Sequence, residues 1–167
     1  MYAKEAVGLH SFIAYEGDVE YAQNDQGFLV PVNPVVYQSP TYKNLIVDTG
    51  KALTLDRLFG LGAPAAITHV GVGNDPAAAA VGQIKLNPVT AGSVLLQVAD
   101  AGAARAALTV TIRSTFGTAV ANFTWNEAGL FNGAVNGTSI MFNRVVIGPF
   151  AKTTAVSIVY TTTVTQA

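Results

Sequence analysis

The run Val156-Ser157-Ile158-Val159-Tyr160-Thr161-Thr162-Thr163-Val164-Thr165 constrains the fold of this chain more than any other. In an extended chain successive side chains point to opposite faces. Val156, Ile158, Tyr160, Thr162 and Val164 therefore share one face, and Ser157, Val159, Thr161, Thr163 and Thr165 share the other, a threonine-rich face suited to water or to an interface. Such a strand needs at least two neighbours and something apolar to cover it. Residues 107–114 supply a clear neighbour, with Leu108, Val110 and Ile112 on one side and Thr109, Thr111 and Arg113 on the other, the pattern of a half-buried antiparallel strand.

Further strands read at residues 43–48, 67–73, 93–99, 119–125 and 140–147. Turns separate them at Asn74-Asp75-Pro76, Asp100-Ala101-Gly102-Ala103, Phe116-Gly117, Asn132-Gly133 and Asn136-Gly137. One helix reads at residues 51–60. Leu55, Leu58 and Phe59 recur at helical spacing with Leu53 alongside, Thr49 stands where a cap belongs, and Gly60 or Gly62 followed by Pro64 ends it. Many short strands, one helix and no alternation of strand with helix predict a mainly β chain. The expected fold is an antiparallel β-sandwich, jelly-roll-like, with one short helix and an extended N-terminal arm.

The arm is assigned to residues 1–42 and the sandwich to 43–167. Up to Tyr42 the chain is punctuated by Gly8, Gly17, Gly27, Pro31, Pro34 and Pro40 and holds no long period. It carries one base, Lys4, against five acids, Glu5, Glu16, Asp18, Glu20 and Asp25; the remainder carries eight bases and five acids. Its aromatic residues (Tyr2, Phe12, Tyr15, Tyr21, Phe28, Tyr37) argue against plain disorder. An acidic, aromatic arm beside a mildly basic body is expected to order by contact, on its own body or on a neighbouring copy.

Only 11% of the 167 residues are charged, against about a quarter in ordinary soluble domains, so much of the surface is expected to be covered by other subunits. A net charge of −1 gives no electrostatic case for nucleic acid or an anionic membrane. With no cysteine, disulfides, thiolate metal sites and thiol catalysis are excluded. No apolar core follows Met1–Glu5 as in a secretory signal, and no apolar run reaches the roughly 20 residues of a membrane-spanning helix. Assembly in a cytoplasm is the expectation.

No catalytic, cofactor or metal site is legible. His10 and His69 lack acidic partners at ligand spacing, whereas a metal site needs three or four ligands. No Gly-x-Ser-x-Gly elbow is present. Gly71-Val72-Gly73 meets Pro76 where a dinucleotide fingerprint needs its third glycine. The chain is therefore not expected to be an enzyme. The informative charges are Glu127 and Arg144, each inside an apolar stretch where an unpaired ion would be costly. Pairing them resolves both costs and pins the segment after Trp125 to the 140–147 strand.

Around that pair the chain resembles a family of small tailed-bacteriophage virion proteins, variously tail-fibre-like, appendage or capsid-decorating. The resemblance is carried by Asn126-Glu127-Ala128-Gly129-Leu130-Phe131, then Ser139-Ile140-Met141-Phe142-Asn143-Arg144, then Pro149, Lys152 and the alternating tail. Asn44–Gly50, the helix and residues 67–73 extend it to roughly residues 43–167. It implies a virion structural protein that forms homo-oligomers, commonly trimers or rings, with other capsid or tail proteins as partners. Trp125, Glu127, Gly129, Phe131 and Arg144 would then be scaffold residues. The alternative is a carbohydrate-binding module, which would need a solvent-facing aromatic platform, and Trp125 sits in too apolar a context to be a good candidate for it.

Overall fold

The computed structural model describes residues 7–166 and contains two antiparallel sheets packed face to face. In chain order the strands are β1 (Val7–Glu16), β2 (Tyr21–Gln23), β3 (Leu29–Pro31), β4 (Val35–Gln38), β5 (Tyr42–Lys43) and β6 (Leu45–Ile46). The helix α1 (Asp48–Phe59) follows. Then come β7 (His69–Gly73), β8 (Val94–Val98), β9 (Ala104–Ala106), β10 (Thr109–Phe116), β11 (Thr124–Phe131), β12 (Met141–Ala151) and β13 (Val156–Thr165). The first sheet runs β4-β1-β13-β10-β9, with β5 also on β1; the second runs β6-β12-β11-β7-β8. β2 and β3 form a separate hairpin. The β-sandwich expected from the alternating runs is the observed fold.

The alternating tail sits where its pattern demands. β13 pairs with β1 on one side, from Val7↔Thr165 to Glu16↔Val156, and with β10 on the other, from Thr109↔Thr165 to Phe116↔Ile158. Ile158 and Tyr160 join Phe12, Ile112 and Phe116 in the core, facing Val70, Val72, Trp125, Ala128, Leu130, Val145 and Ile147 of the second sheet. The rings lock by geometry as well as area: Phe116 meets Trp125 edge-on at 4.9 Å between centroids, and Phe12 stacks on Tyr160 at 6.0 Å.

The division at residue 42 is corrected for its first part. Residues 7–16 are a strand inside the first sheet, while residues 1–6 of the assigned arm lie outside the described residues. The sequence hides this strand because its inward positions are Gly8, His10, Phe12 and Ala14. Only one of the four is large and apolar, yet all are buried. What projects from the body is the β2–β3 hairpin, whose strands are almost wholly exposed.

Two other expectations shift. The strand expected at 119–125 starts five residues later. Residues 117–123 form a loop closed by side chains, with Asn122 Nδ2 donating to Thr118 O at 2.9 Å and Lys152 Nζ donating to Gly117 O and Asn122 Oδ1 at 2.9 and 2.8 Å. The helix begins at Asp48 after Val47, with no side-chain cap, and Thr49 instead donates to Met141 O at 2.7 Å. Gly60, left-handed at φ 68°, ends it as expected.

Candidate functional site

The segment that stood out in the sequence is β11 and the strand beside it. A register shift between Trp125 and Glu127 opens a bulge at Asn126. It turns Trp125 to the same side as Ala128 and Leu130, into the core between the sheets. Trp125 is fully buried, and its indole nitrogen donates to Ala121 O at 2.9 Å. The residue on which a sugar platform depended has no face free for a ligand.

Glu127, Gly129 and Phe131 line the other face of the second sheet. Phe131 packs with Val47, Leu86 and Met141 in a second, smaller core. Gly129 stands opposite Arg144 in the β11–β12 ladder, and a Cβ there would lie 2.5 Å from Asn143 O. Gly73 stands opposite Glu127 on β7, and a Cβ there would overlap the Glu127 carboxylate. The glycine of the apparent Gly71-Val72-Gly73 motif thus serves to seat a carboxylate.

Glu127 and Arg144 meet as the sequence expected. Arg144 Nε donates to Glu127 Oε2 at 2.6 Å, and both side chains are fully buried. Arg144 Nη1 donates to Ala77 O (2.8 Å) and Gln83 Oε1 (3.3 Å). Its Nη2 reaches Asp75 O (3.3 Å) and Asp75 Oδ2 (3.5 Å). The five donors of a guanidinium thus face five acceptors of the same chain. Glu127 Oε1 accepts the Asn87 amide at 3.1 Å. Burial raises the Glu127 carboxyl above the ordinary carboxylate range, and the Arg144 guanidinium and the Asn87 amide pull it back.

All four loop residues in this network belong to residues 74–92, within the long connection from β7 to β8. The same loop is tied down at Asn136, which accepts the Leu86 amide at 3.0 Å and donates to Leu86 O at 2.8 Å. Asn74 accepts the Val89 amide at 2.8 Å. The pair is the peg on which a long loop closes over the second sheet. Asp75, Gln83 and Asn87 carried no sequence signal beyond the turn at Asn74-Asp75-Pro76, because their partners lie 40 to 69 residues away.

A second buried polar cluster escaped the sequence reading. His10 reaches Tyr160 Oη (3.2 Å) and Thr162 Oγ1 (3.0 Å) with Nδ1, and Asn143 Nδ2 (3.3 Å) with Nε2. Asn143 Oδ1 accepts the Leu130 amide at 2.9 Å, so Nδ2 must face the ring and donate to Nε2. The neutral ring therefore carries its proton on Nδ1, toward the two hydroxyls. Burial pushes the ring down to about 3. At the other end of the sandwich, burial lowers Lys152 to about 8 while Asp18 opposes the shift. His69 lies apart from His10, on β7, with Nδ1 2.9 Å from Thr68 Oγ1. Among the described residues no three of His, Asp and Glu stand together as a metal site.

The apolar residues read at helical spacing in α1 divide between two faces: Leu55, Leu58 and Phe59 are 54, 73 and 70% exposed, and α1 packs inward through Gly50 and Leu53. Leu61 continues the exposed face beyond the helix. Beside it an open apolar cleft of about 270 Å³ is lined by Leu53, Thr54, Ala65, Ala66, Ile67 and Phe142, with Arg57 its one charged side chain. Phe28 and Leu29 at the hairpin end are 65 and 66% exposed. Apart from Asn44 Nδ2 and Ser157 Oγ, which meet no partner, the buried polar side chains of the described residues are engaged internally, and many large apolar side chains stand exposed. No protein family, no curated protein and no solved structure matches the chain.

Proposed function

We propose that this chain is a structural subunit of a tailed-bacteriophage virion, a homo-oligomeric β-sandwich that decorates the capsid or attaches at the tail. The observation that carries the assembly half of this reading is the outward apolar face of α1. A helix that turns Leu55, Leu58 and Phe59 to solvent while burying Gly50 and Leu53 is built to be covered from outside. The exposed hairpin and the 11% charged composition support the same half. The virion half is supported by the resemblance across residues 43–167. The buried Glu127–Arg144 network suits such a role, since it spends its hydrogen bonds on fixing a loop.

Cryo-electron microscopy of the virion that carries this chain tests the reading. The expected result is repeating density on the capsid or at the tail into which the two-sheet body fits, with Trp125 and Tyr160 as markers. Particles in which no density accommodates that body overturn it.

A further inference from the structure

The hairpin region is apolar and acidic, and the helix cleft is apolar with one base. Asn24 shapes the hairpin end: its Oδ1 accepts the amides of Gln26 (3.1 Å) and Phe28 (2.9 Å), and its own amide donates to Phe28 O (2.9 Å). Phe28 is thereby fixed beside Asp25 and held out in water, 65% exposed. A two-stranded hairpin is marginal by itself, and this one shows almost no buried side chain along β2 or β3. Its own chain supplies one contact, Arg113 over the Tyr21 ring at 5.9 Å, and leaves Phe28, Leu29 and Val32 exposed.

The cleft beside α1 has the opposite character. It is concave, apolar and open, and the Arg57 side chain stands at it. Residues 7–42 contain four acids, Glu16, Asp18, Glu20 and Asp25, and no base. An apolar plug with an acid at its shoulder fits an apolar socket with a base at its rim. Both are open on one chain: Phe28 is exposed and the cleft is empty of side chains, so they do not meet within the monomer.

We propose that the β2–β3 hairpin of one copy docks in the α1 cleft of the next, Phe28 entering between Leu53, Ala66 and Phe142 and Asp25 meeting Arg57. The exposed Leu58, Phe59 and Leu61 lie alongside and cover the hairpin's Leu29 and Val32. The contact joins plug to socket, so it can run head to tail from copy to copy and closes a ring where the rotation between copies allows. This deepens the assembly reading above and rests on it.

The test uses the full chain and two surface variants, Phe28→Asp, which spoils the plug, and Ala66→Arg, which blocks the socket. Thr54→Arg replaces the latter if it lowers the unfolding midpoint. Masses are read by analytical ultracentrifugation, with thermal unfolding confirming that each variant is folded. The wild type is expected as an oligomer and each variant alone as a monomer. An equimolar mixture of the two is expected to give a dimer of one plug-bearing and one socket-bearing chain, because a single intact contact remains. Variants that stay oligomeric, or a mixture that stays monomeric, overturn the docking while leaving the assembly reading in place. A monomeric wild type overturns both.

Discussion

At the scale of single residues, the buried Glu127–Arg144 pair, Gly73 and His10 each make a testable contribution to stability. Removing one member of a buried ion pair strands the other charge and costs about 3–5 kcal/mol, whereas replacing both by apolar residues of similar size is often neutral. Arg144→Ala is therefore expected to lower unfolding free energy by about 3–5 kcal/mol in urea titration, and Glu127→Leu with Arg144→Met together by far less than the two single changes summed. Additive losses would mean that the pair is not coupled. Gly73→Ala, which pushes a methyl into the Glu127 carboxylate, is expected to cost about 1–3 kcal/mol by overpacking in the same titration. His10 sets a pH dependence. The unfolded chain takes up its proton near 6.5 and the folded chain only near 3, so between these values the unfolded state binds more protons. The stability it contributes is complete above 6.5 and is lost as pH falls through that window, at up to about 1.4 kcal/mol per pH unit. His10→Gln has no such proton to take up. Its stability difference from the wild type is expected to shift in its favour between pH 7 and 5 by roughly that slope. Parallel pH profiles would contradict the account, since the carboxylates act on both chains alike.

At the scale of elements, the N-terminal third divides into a strand that the fold needs and a hairpin that it does not. β1 pairs with β13 over ten residues and supplies Phe12 and His10 to the core. Deleting residues 7–16 is expected to abolish cooperative thermal unfolding. Replacing residues 22–30 with a Gly-Ser link is expected to leave the midpoint within a few degrees, because nothing packs on that segment. Equal effects of the two changes would contradict this division. The same elements show what was legible in the sequence. β10 and β13 announced themselves because one apolar face repeats at period two against threonines. β1 did not, since a histidine made neutral by burial occupies an inward position that reads as polar. α1 was recognised, but periodicity locates an apolar stripe without saying whether a core or another molecule covers it, and the inward contact is made by Leu53 together with Gly50, which has no side chain to announce it. The Glu127–Arg144 pair was legible because an ion in an apolar run demands a partner. Its remaining partners were not, because carbonyls and side chains of a loop 61 to 69 residues away leave no local pattern.

At the scale of the whole molecule, the buried polar side chains of the two-sheet body are satisfied internally except at Asn44 and Ser157, while large apolar side chains remain on the surface. Polar groups within the described residues turn inward to peg loops and to bridge the sheets. Large apolar side chains on α1, on the hairpin and at Val81, Ile84 and Val89 of the 74–92 loop turn outward. On the proposed reading this apolar surface is covered by association, and mass reports on that directly. The decisive measurement is light scattering of the purified full chain at micromolar concentration. The account predicts a discrete oligomer at an integral multiple of 17.3 kDa, threefold on the virion reading. A single species at 17.3 kDa that persists on concentration would contradict it.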